Sequence, residues 1–407
     1  MWRIESARIV ATLTRVVGDF GLAEDLAQEA LLEALAKWPS EGVPPNPGAW
    51  LTTVAKRRAI DGWRRNERLD DRYAALAHDL AERQRLETAT DEIPWDPDSI
   101  DDDVLRLVFT ACHPILPRES QIALTLRVVG GLTTEEIARA FMVPVSTVQQ
   151  RVVRAKKTIA AADLPFEVPA PEEFDARLGS VLSVAYLIFN EGYAATSGES
   201  WMRTDLAHEA IRLTRILSAL VPDEPEVHGL LALMELQASR FAARVDADGE
   251  PILLADQDRS RWDQGAIRRG RTALARADES DRGRGAYALQ AGIAECHSIA
   301  ASTDDTDWDK IVALYEALGQ LAPSPFVDLN LAVAVSMAQG WDAGLALVDA
   351  LAAKGTLKGY GLLPGVRGEL LARLGRNDEA RAEYLAAAEL TQNERERSVL
   401  IEKAREL

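Results

Sequence analysis

The sequence has few of the residues on which disulfide frameworks, metal centres and redox sites depend. Only two of its 407 residues are cysteine, Cys112 and Cys296, and they lie far apart in no CxxC spacing. This usage excludes a disulfide framework and a thiolate zinc site, and it fits a reducing compartment. The five histidines occur singly, which favours surface or core roles over metal ligation. We therefore expect no metal and no cofactor.

Long apolar runs are missing too. No stretch of about eighteen apolar residues occurs, so no membrane span is predicted. The opening residues MWRIESARIV lack the basic stretch and apolar core of a secretory signal. The expected location is therefore the cytoplasm. Nucleophile-elbow, P-loop and HExxH motifs are also missing, and we predict that the protein is not an enzyme.

The alternation of β-branched residues that marks strands is nearly absent. Apolar residues recur instead at spacings of three and four, which predicts an all-α fold. A chain of this length is too long for one typical core, so two to four domains are expected. Residues 88 to 103 combine proline, serine and aspartate without an apolar period, and they predict an acidic linker between domains.

Two helices joined by a tight turn are predicted between residues 133 and 159. Thr133 and Glu136 have the spacing of a capping box, and Ser146 and Gln149 have it again. The second pair predicts that Gln149 caps its helix. Helix, tight turn and helix is the outline of a helix-turn-helix unit.

One strip of this acidic chain is cleanly basic. The net charge is -18, yet PVSTVQQRVVRAKKTI, residues 144 to 159, holds four basic residues and no acidic one. A stripe at helical spacing is predicted to face the core, and its members are Val148, Val152, Ala155 and Ile159. Hydroxyl, amide and guanidinium groups on another face can bind base edges and phosphates in a major groove. The candidate DNA-binding residues of this face are Thr147, Gln150, Arg151, Arg154 and Lys157. Lys156 and Lys157 suit phosphates or complement the helix dipole, and an ordinary solvated helix end is the alternative for the whole face.

A second basic segment begins at Pro47, with Asn46 as the predicted N-cap. It mixes aromatic rings with cations, a composition suited to unstacked bases and a phosphate backbone. Its candidate residues are Trp50, Lys56, Arg57, Arg58, Asp61, Trp63, Arg64 and Arg65. Trp50 alone would fit a core role equally well.

From about residue 175 the chain is a string of predicted helix pairs with weak self-similarity. Ala380 aligns with Gly344 and Tyr384 with Val348, 36 positions apart, a pattern that resembles tetratricopeptide repeats. Residues 244 to 263 interrupt it, and Asp248-Gly249 predicts a hairpin turn there. An EF-hand register fails in this segment. Its charged residues predict an ion-pair network around Trp262, made by Asp256, Asp258, Arg259, Arg261 and Asp263.

Four segments in order resemble regions 2 and 4 of an extracytoplasmic-function (ECF) sigma factor, over about residues 5 to 162. They are GLAEDLAQEALLEAL, PGAWLTTVAKRRAIDGWRR, the acidic linker, and LPRESQIALTLRVVGGLTTEEIARAFMVPVSTVQQRVVRAKKTI. The resemblance implies region 2 at 1–87, the linker at 88–103, region 4 at 104–164 and a further domain at 165–407.

The resemblance also implies partners and roles. Asp25, Gln28 and Glu29 match positions that dock on the β′ clamp helices of core RNA polymerase, and the β flap is a second expected partner. The helix from Pro47 matches the one that opens and reads the −10 element, and the helix from Ser146 matches the one that reads the −35 element. The family usually has Asn where Arg57 or Arg58 stands and often Gly at 146, so the promoter sequence does not carry over.

The remainder is similar to the tetratricopeptide-like extension of one ECF subgroup, through YLIFNEGY (186–193) and ADQDRSRWD (255–263). This implies that the extension regulates the sigma core in place of a separate anti-sigma protein. We also expect the acidic C-terminal domain to pack near the basic helices in the free protein. One alternative is a helix-turn-helix repressor or activator with a tetratricopeptide-like effector domain, which leaves the segment from Trp50 to Arg65 without a role. Another is a helical scaffold with no DNA dependence.

Overall fold

A computed structural model describes residues 2–65, 97–141, 143–193, 202–246, 252, 254–355, 357–391 and 394–407. The prediction of an all-α fold is confirmed, because the described residues form eighteen α-helices and no strand. The chain divides into two compact units, residues 1–187 and 188–407. The boundary falls inside a helix that spans Pro171–Tyr193.

The described residues of the first unit form seven complete helices and most of an eighth. They are α1 (Trp2–Val17), α2 (Phe20–Glu41), α3 (Pro47–Arg65), α4 (Pro97–Ala111), α5 (Arg118–Val128), α6 (Thr134–Phe141), α7 (Val145–Ala161) and α8 (Pro171–Tyr193). The N-cap predicted at Asn46 is confirmed, since its Oδ1 accepts from the Ala49 N–H at 3.0 Å. A row of small buried side chains on α2 faces α1 and α3. Its members are Ala23, Ala27, Ala30 and Ala34.

Helix α4 begins within the segment predicted as a linker. Residues 97–103 form its first two turns, while residues 66–96 lie outside the described part. Asp103 is fully buried and accepts from Arg15 Nε and Arg106 Nη1, both at 2.7 Å. This carboxylate therefore joins α4 to α1, because buried charges need paired partners. Its acidic neighbours in sequence gave no sign of that role.

Helices α5 to α7 contain the predicted helix-turn-helix. The capping box at Thr133 is confirmed, since the Glu136 N–H donates to Thr133 Oγ1 (3.1 Å) and the Thr133 N–H donates to Glu136 Oε2 (2.8 Å). The capping box predicted for Ser146 and Gln149 is wrong. Pro144 is the N-cap of α7, with no side-chain cap, because its fixed φ ends the turn there and places Ser146 inside the helix.

The second unit is built from helices that pack mainly against their neighbours in sequence. They are α9 (Thr204–Leu220), α10 (Pro225–Ala238), α11 (Gln264–Asp278), α12 (Ala286–Ile299), α13 (Trp308–Leu321), α14 (Pro325–Gln339), α15 (Trp341–Lys354), α16 (Leu362–Arg373), α17 (Asn377–Leu390) and α18 (Glu394–Glu406). The positions aligned in the predicted repeat, Gly344, Val348, Ala380 and Tyr384, are all buried. A Cβ built on Gly344 would lie 2.4 Å from Ser336 Cβ, so only glycine permits this approach of α14 and α15. The packing is compatible with a tetratricopeptide-like arrangement.

Residues 244 to 263 interrupt this series, as the sequence predicted. The Ile252 N–H donates to the Arg244 carbonyl at 2.8 Å, while Asp248-Gly249 lies outside the described residues. Among the described residues, no ion pair joins the members of the predicted network to one another, and Asp263 lies 3.9 Å from Arg269. Asp258 instead accepts from the Ser260 N–H (2.9 Å), and Asp263 caps α11 through the Gly265 N–H (2.7 Å). Aspartates that precede a helical turn satisfy its free N–H groups, and Asp256 and Arg261 are exposed.

Candidate nucleic-acid interface

Helix α7 presents a basic face on the side opposite its packing. The buried stripe is confirmed, since Val148, Val152, Ala155 and Ile159 are all buried and α7 packs on α5 and α6. Gln150, Arg154 and Lys157 are exposed, while Thr147 and Arg151 are half-buried. Gln149 is exposed as well. Its side chain makes no capping hydrogen bond at the start of α7, so its amide is a further polar group on this helix.

A groove runs beside this face. Arg151, Arg154 and Lys157 line it together with Glu119 and Ser120 at the start of α5, and its volume is about 470 Å³. The first turn of α5 adds the positive end of a helix dipole. Guanidiniums, an ammonium and a helix N-terminus are groups that bind phosphate. Among the described residues of its lining, Glu119 is the one carboxylate.

Helix α3 carries the second basic segment, and its residues differ in exposure and in their contacts. The Trp50 ring is half-buried and packs edge-on against Trp38, with ring centroids 5.4 Å apart. Arg57 is exposed and Lys56 half-buried. The predicted residues Asp61, Trp63, Arg64 and Arg65 lie in the last turns of α3, and their side chains are outside the described part.

Arg58 is tied to α2. Its Nη2 donates to Glu33 Oε2 and its Nη1 to Glu29 Oε2, both at 2.8 Å. These hydrogen bonds, to Glu33 first and then to Glu29, raise the pKa of Arg58 above its ordinary value. Arg58 therefore holds α3 on α2 in this conformation, and Glu29 contributes to that contact as well as to the outer surface of α2.

The outer surface of α2 combines acidic and apolar side chains. Asp25 and Glu29 are exposed and Gln28 is half-buried. Leu32 and Leu35, on the same surface, are 65% and 63% exposed. Sequence reasoning did not identify either leucine as an exposed side chain. The signal in the sequence is a run of alanines at three- and four-residue spacing, Ala23, Ala27, Ala30 and Ala34. This spacing predicts that the alanines face the core.

Glu24 connects α2 to the helix-turn-helix. Its side chain is buried and accepts from Arg127 Nε of α5 at 2.9 Å and from Lys156 Nζ of α7. Asp25 adds a second, longer contact to Lys156 at 3.3 Å. We call Glu24, Asp25, Arg127 and Lys156 the α2 latch. Of the two lysines suggested for phosphate binding, Lys156 is therefore ion-paired with Glu24 and Asp25, and Lys157 is exposed.

The rest of the described chain offers little other chemistry. Within it, no group of three or more His, Cys, Asp or Glu side chains is placed to hold a metal ion. Both cysteines are free and buried, and burial raises the pKa of Cys112 to about 12. None of the described helices is long and apolar enough to cross a bilayer.

Comparison with known families places these surfaces in context. The Sigma-70 region 2 family matches residues 2–69, and the Sigma-70 region 4 family matches residues 106–159. A family of unknown function, DUF6596, matches residues 177–278. The two basic segments therefore lie within the two sigma matches, and both ADQDRSRWD and YLIFNEGY lie within the third.

Individual relatives agree. Over 398 residues the chain is 44% identical to the uncharacterized protein R00370 of Rhizobium meliloti, covering 94% of this chain and 89% of that protein. It is 30% identical over 162 residues to the probable ECF RNA polymerase sigma factor SigI of Mycobacterium tuberculosis, covering 39% of this chain and about half, 52%, of SigI. The ECF RNA polymerase sigma factor SigK of Mycobacterium ulcerans is 28% identical over 152 residues, covering 36% of this chain and 74% of SigK.

The fold and these matches define a sigma factor of transcription initiation. The chain belongs to the ECF sigma factor family, and its C-terminal extension contains a DUF6596 domain.

Proposed function

We propose that this sigma factor binds core RNA polymerase in the cytoplasm and directs promoter-specific initiation, with α3 on the −10 element and α7 on the −35 element. The observation that carries the proposal is the exposed basic face of α7, which survives in a chain of net charge -18. Arg151, Arg154 and Lys157 converge there on one groove. A general surplus of acid discourages unspecific binding to nucleic acid, so one exposed basic face favours binding at chosen sites.

The outer surface of α2 is proposed to dock on the polymerase. Exposed leucines ringed by polar side chains are typical of protein interfaces, whose centres are apolar and whose rims are charged. Leu32 and Leu35 would form that centre, with Asp25, Gln28 and Glu29 around it. The resemblance to the family supports the β′ clamp helices as the partner of this surface.

Glutamate at both leucine positions tests this docking. We expect L32E/L35E to lower the affinity for core polymerase at least tenfold, because burying a leucine contributes about 1.5–3 kcal/mol and about 1.4 kcal/mol is a tenfold change. Co-purification and titration with core polymerase measure it. Leu347→Glu is the matched control, since Leu347 is also exposed, at 40%, but lies on α15. Equal affinity of wild type and double variant would refute this surface.

The α2 latch must open for both promoter elements to be bound at once. Elements at −10 and −35 lie about 25 base pairs apart, or about 85 Å at about 3.4 Å per base pair. Helices α3 and α7 both contact α2, whose 22 residues span only about 33 Å. We therefore propose that the described conformation is a closed one, and that polymerase binding separates α7 from α2.

The C-terminal unit is proposed to lower the affinity for DNA, since the excess of acid in this chain falls mostly after residue 165 and like charges repel DNA phosphates. A chain ending at Tyr193 should bind a promoter duplex more tightly than the full chain. This end point keeps Phe174, whose ring lies 5.5 Å from that of Phe109, and Arg177, which donates to the Phe109 carbonyl at 3.2 Å.

The measurement is the Kd for the duplex at fixed salt. A chain ending at residue 165 is the comparison, because it loses the contacts to Phe109 and is expected to be less stable. Unchanged or weaker DNA binding by the chain ending at Tyr193 would count against an inhibitory extension.

A further inference from the structure

Two arginines of the second unit meet around one buried indole. Trp262 is 3% exposed, and the guanidinium carbons of Arg259 and Arg240 lie 4.9 Å and 5.9 Å from its ring centroid. Arg240 also lies 5.9 Å from the ring of Tyr193. The segments YLIFNEGY and ADQDRSRWD, which are distant in sequence, thus share one cationic cluster.

The donors of this cluster are only partly used. Arg259 Nη1 donates to the carbonyls of His297 and, at 2.9 Å, of Ala300, and Arg240 Nη2 donates to Tyr193 and Gln237. Arg259 Nη2 and Trp262 Nε1 are buried without a hydrogen-bond partner in the described part of the chain. No described carboxylate lies within ion-pair distance of Arg240 or Arg259.

Both arginines are partly buried, and a partly desolvated charge favours an anionic partner, because leaving it unpaired is costly. Burial lowers the pKa of Arg259 first, and the neighbouring Arg240 lowers it further, while Asp305 has a smaller, opposite effect. Burial, followed by the same two arginines, lowers the pKa of His297 to about 4. The imidazole is therefore neutral near pH 7, and the positive charge of the cluster resides on the guanidiniums.

A cavity of about 180 Å³ adjoins the cluster. Arg240, Gln237, His297 and Tyr315 line it with polar groups, and its remaining lining is apolar, from Leu236, Leu254, Ile293 and Ala294. Its volume is that of about six waters at about 30 Å³ each. Apolar walls with a few convergent polar groups are typical of small-molecule sites.

We propose that this cavity binds a small organic carboxylate. The carboxylate would accept a charge-assisted hydrogen bond from Arg240 Nη1, since Nη2 already donates to Tyr193 and Gln237, and the apolar body would contact Leu254 and Ile293. Inorganic phosphate fits less well, because it has no apolar body to contact these two side chains. The proposal concerns a ligand of the second unit and does not rest on the promoter functions of the first.

Titration calorimetry and thermal shift on the full chain test the proposal, with butyrate and benzoate as probes. Benzamide is the neutral match for benzoate, and inorganic phosphate is a second anion. We expect saturable binding and a raised Tm with at least one carboxylate, and at least tenfold weaker binding of benzamide and phosphate. No saturable carboxylate binding, or equal binding of benzamide or phosphate, would overturn it without any variant.

Arg240→Gln locates the site. It should weaken carboxylate binding at least tenfold, whereas Arg268→Gln, an equal charge change at an exposed position of α11, should leave binding unchanged. If the Arg240 variant binds as tightly as wild type, the carboxylate lies elsewhere and the assignment fails. Should that variant not fold, the comparison of benzoate with benzamide on the wild-type chain still decides.

Discussion

Glu24→Gln is expected to open the α2 latch and separate α7 from α2. Glu24 is 5% exposed and pairs with two mostly buried cations, Arg127 and Lys156. Removing one partner of a buried ion pair costs about 3–5 kcal/mol, because the remaining charges are left uncompensated. The closed conformation bears this cost and an open one does not, since water then solvates the cations.

Spin labels would be attached to cysteines introduced at Leu35 and Ala160, both exposed. Pulsed electron paramagnetic resonance would then measure the distance between α2 and α7. The native cysteines are buried and resist labelling. Wild type should give one short distance, and Glu24→Gln a longer, broader distribution. Glu41→Gln, an equal charge change at the exposed end of α2, should leave the short distance intact. A Glu24 variant that keeps the wild-type distance would show that the latch does not hold the two helices together.

Gly192→Ala is expected to destabilise the second unit strongly. A Cβ built on Gly192 would lie 2.4 Å from the Ala207 backbone nitrogen and 2.8 Å from Ala207 Cα. Backbone cannot move aside as a side chain can, so α8 and α9 would have to separate. That shift would also strain the hydrogen bond from the Arg203 N–H to the Gly192 carbonyl, now 2.8 Å. Overpacking of this kind costs about 1–3 kcal/mol or more.

Gly179→Ala is the matched control for this change. Gly179 lies in the same helix, but a Cβ there has nothing within 4 Å, so its alanine should be neutral or stabilise by up to about 1 kcal/mol through helix propensity. Urea unfolding of both variants measures the difference. Equal stability of the two would contradict the close approach of α8 and α9.

Local patterns predicted the parts of this protein that depend on near neighbours. The buried stripe of α7 follows from its three- and four-residue spacing, and the capping box at Thr133 from residues three positions apart. The same reasoning failed at Ser146, because Pro144 two residues earlier already supplies the N-cap. Where several adjacent residues could serve as the N-cap, the capping pattern alone does not decide between them, and here the N-cap is Pro144.

Long-range ion pairs could not be predicted. Glu24 meets Arg127 and Lys156 across more than a hundred residues, and Asp103 meets Arg15 across 88. Nothing in the sequence around Asp103 distinguishes it from the aspartates that precede it. Likewise, the sequence predicted Arg58 as a DNA-binding cation but did not predict its hydrogen bonds to Glu29 and Glu33 on α2.

The central claim is that the exposed face of α7 directs promoter-specific initiation. Transcription in vitro, with purified core polymerase and promoters recovered by genomic footprinting of the holoenzyme, tests it most directly. We expect initiation that depends on the full chain and on both promoter elements, and a loss of at least tenfold in the variant Arg151→Gln/Arg154→Gln. The equally charged change Arg268→Gln/Arg276→Gln, on exposed positions of α11, should not reduce it. No promoter-dependent initiation, from the full chain or from the chain ending at Tyr193, would contradict the account.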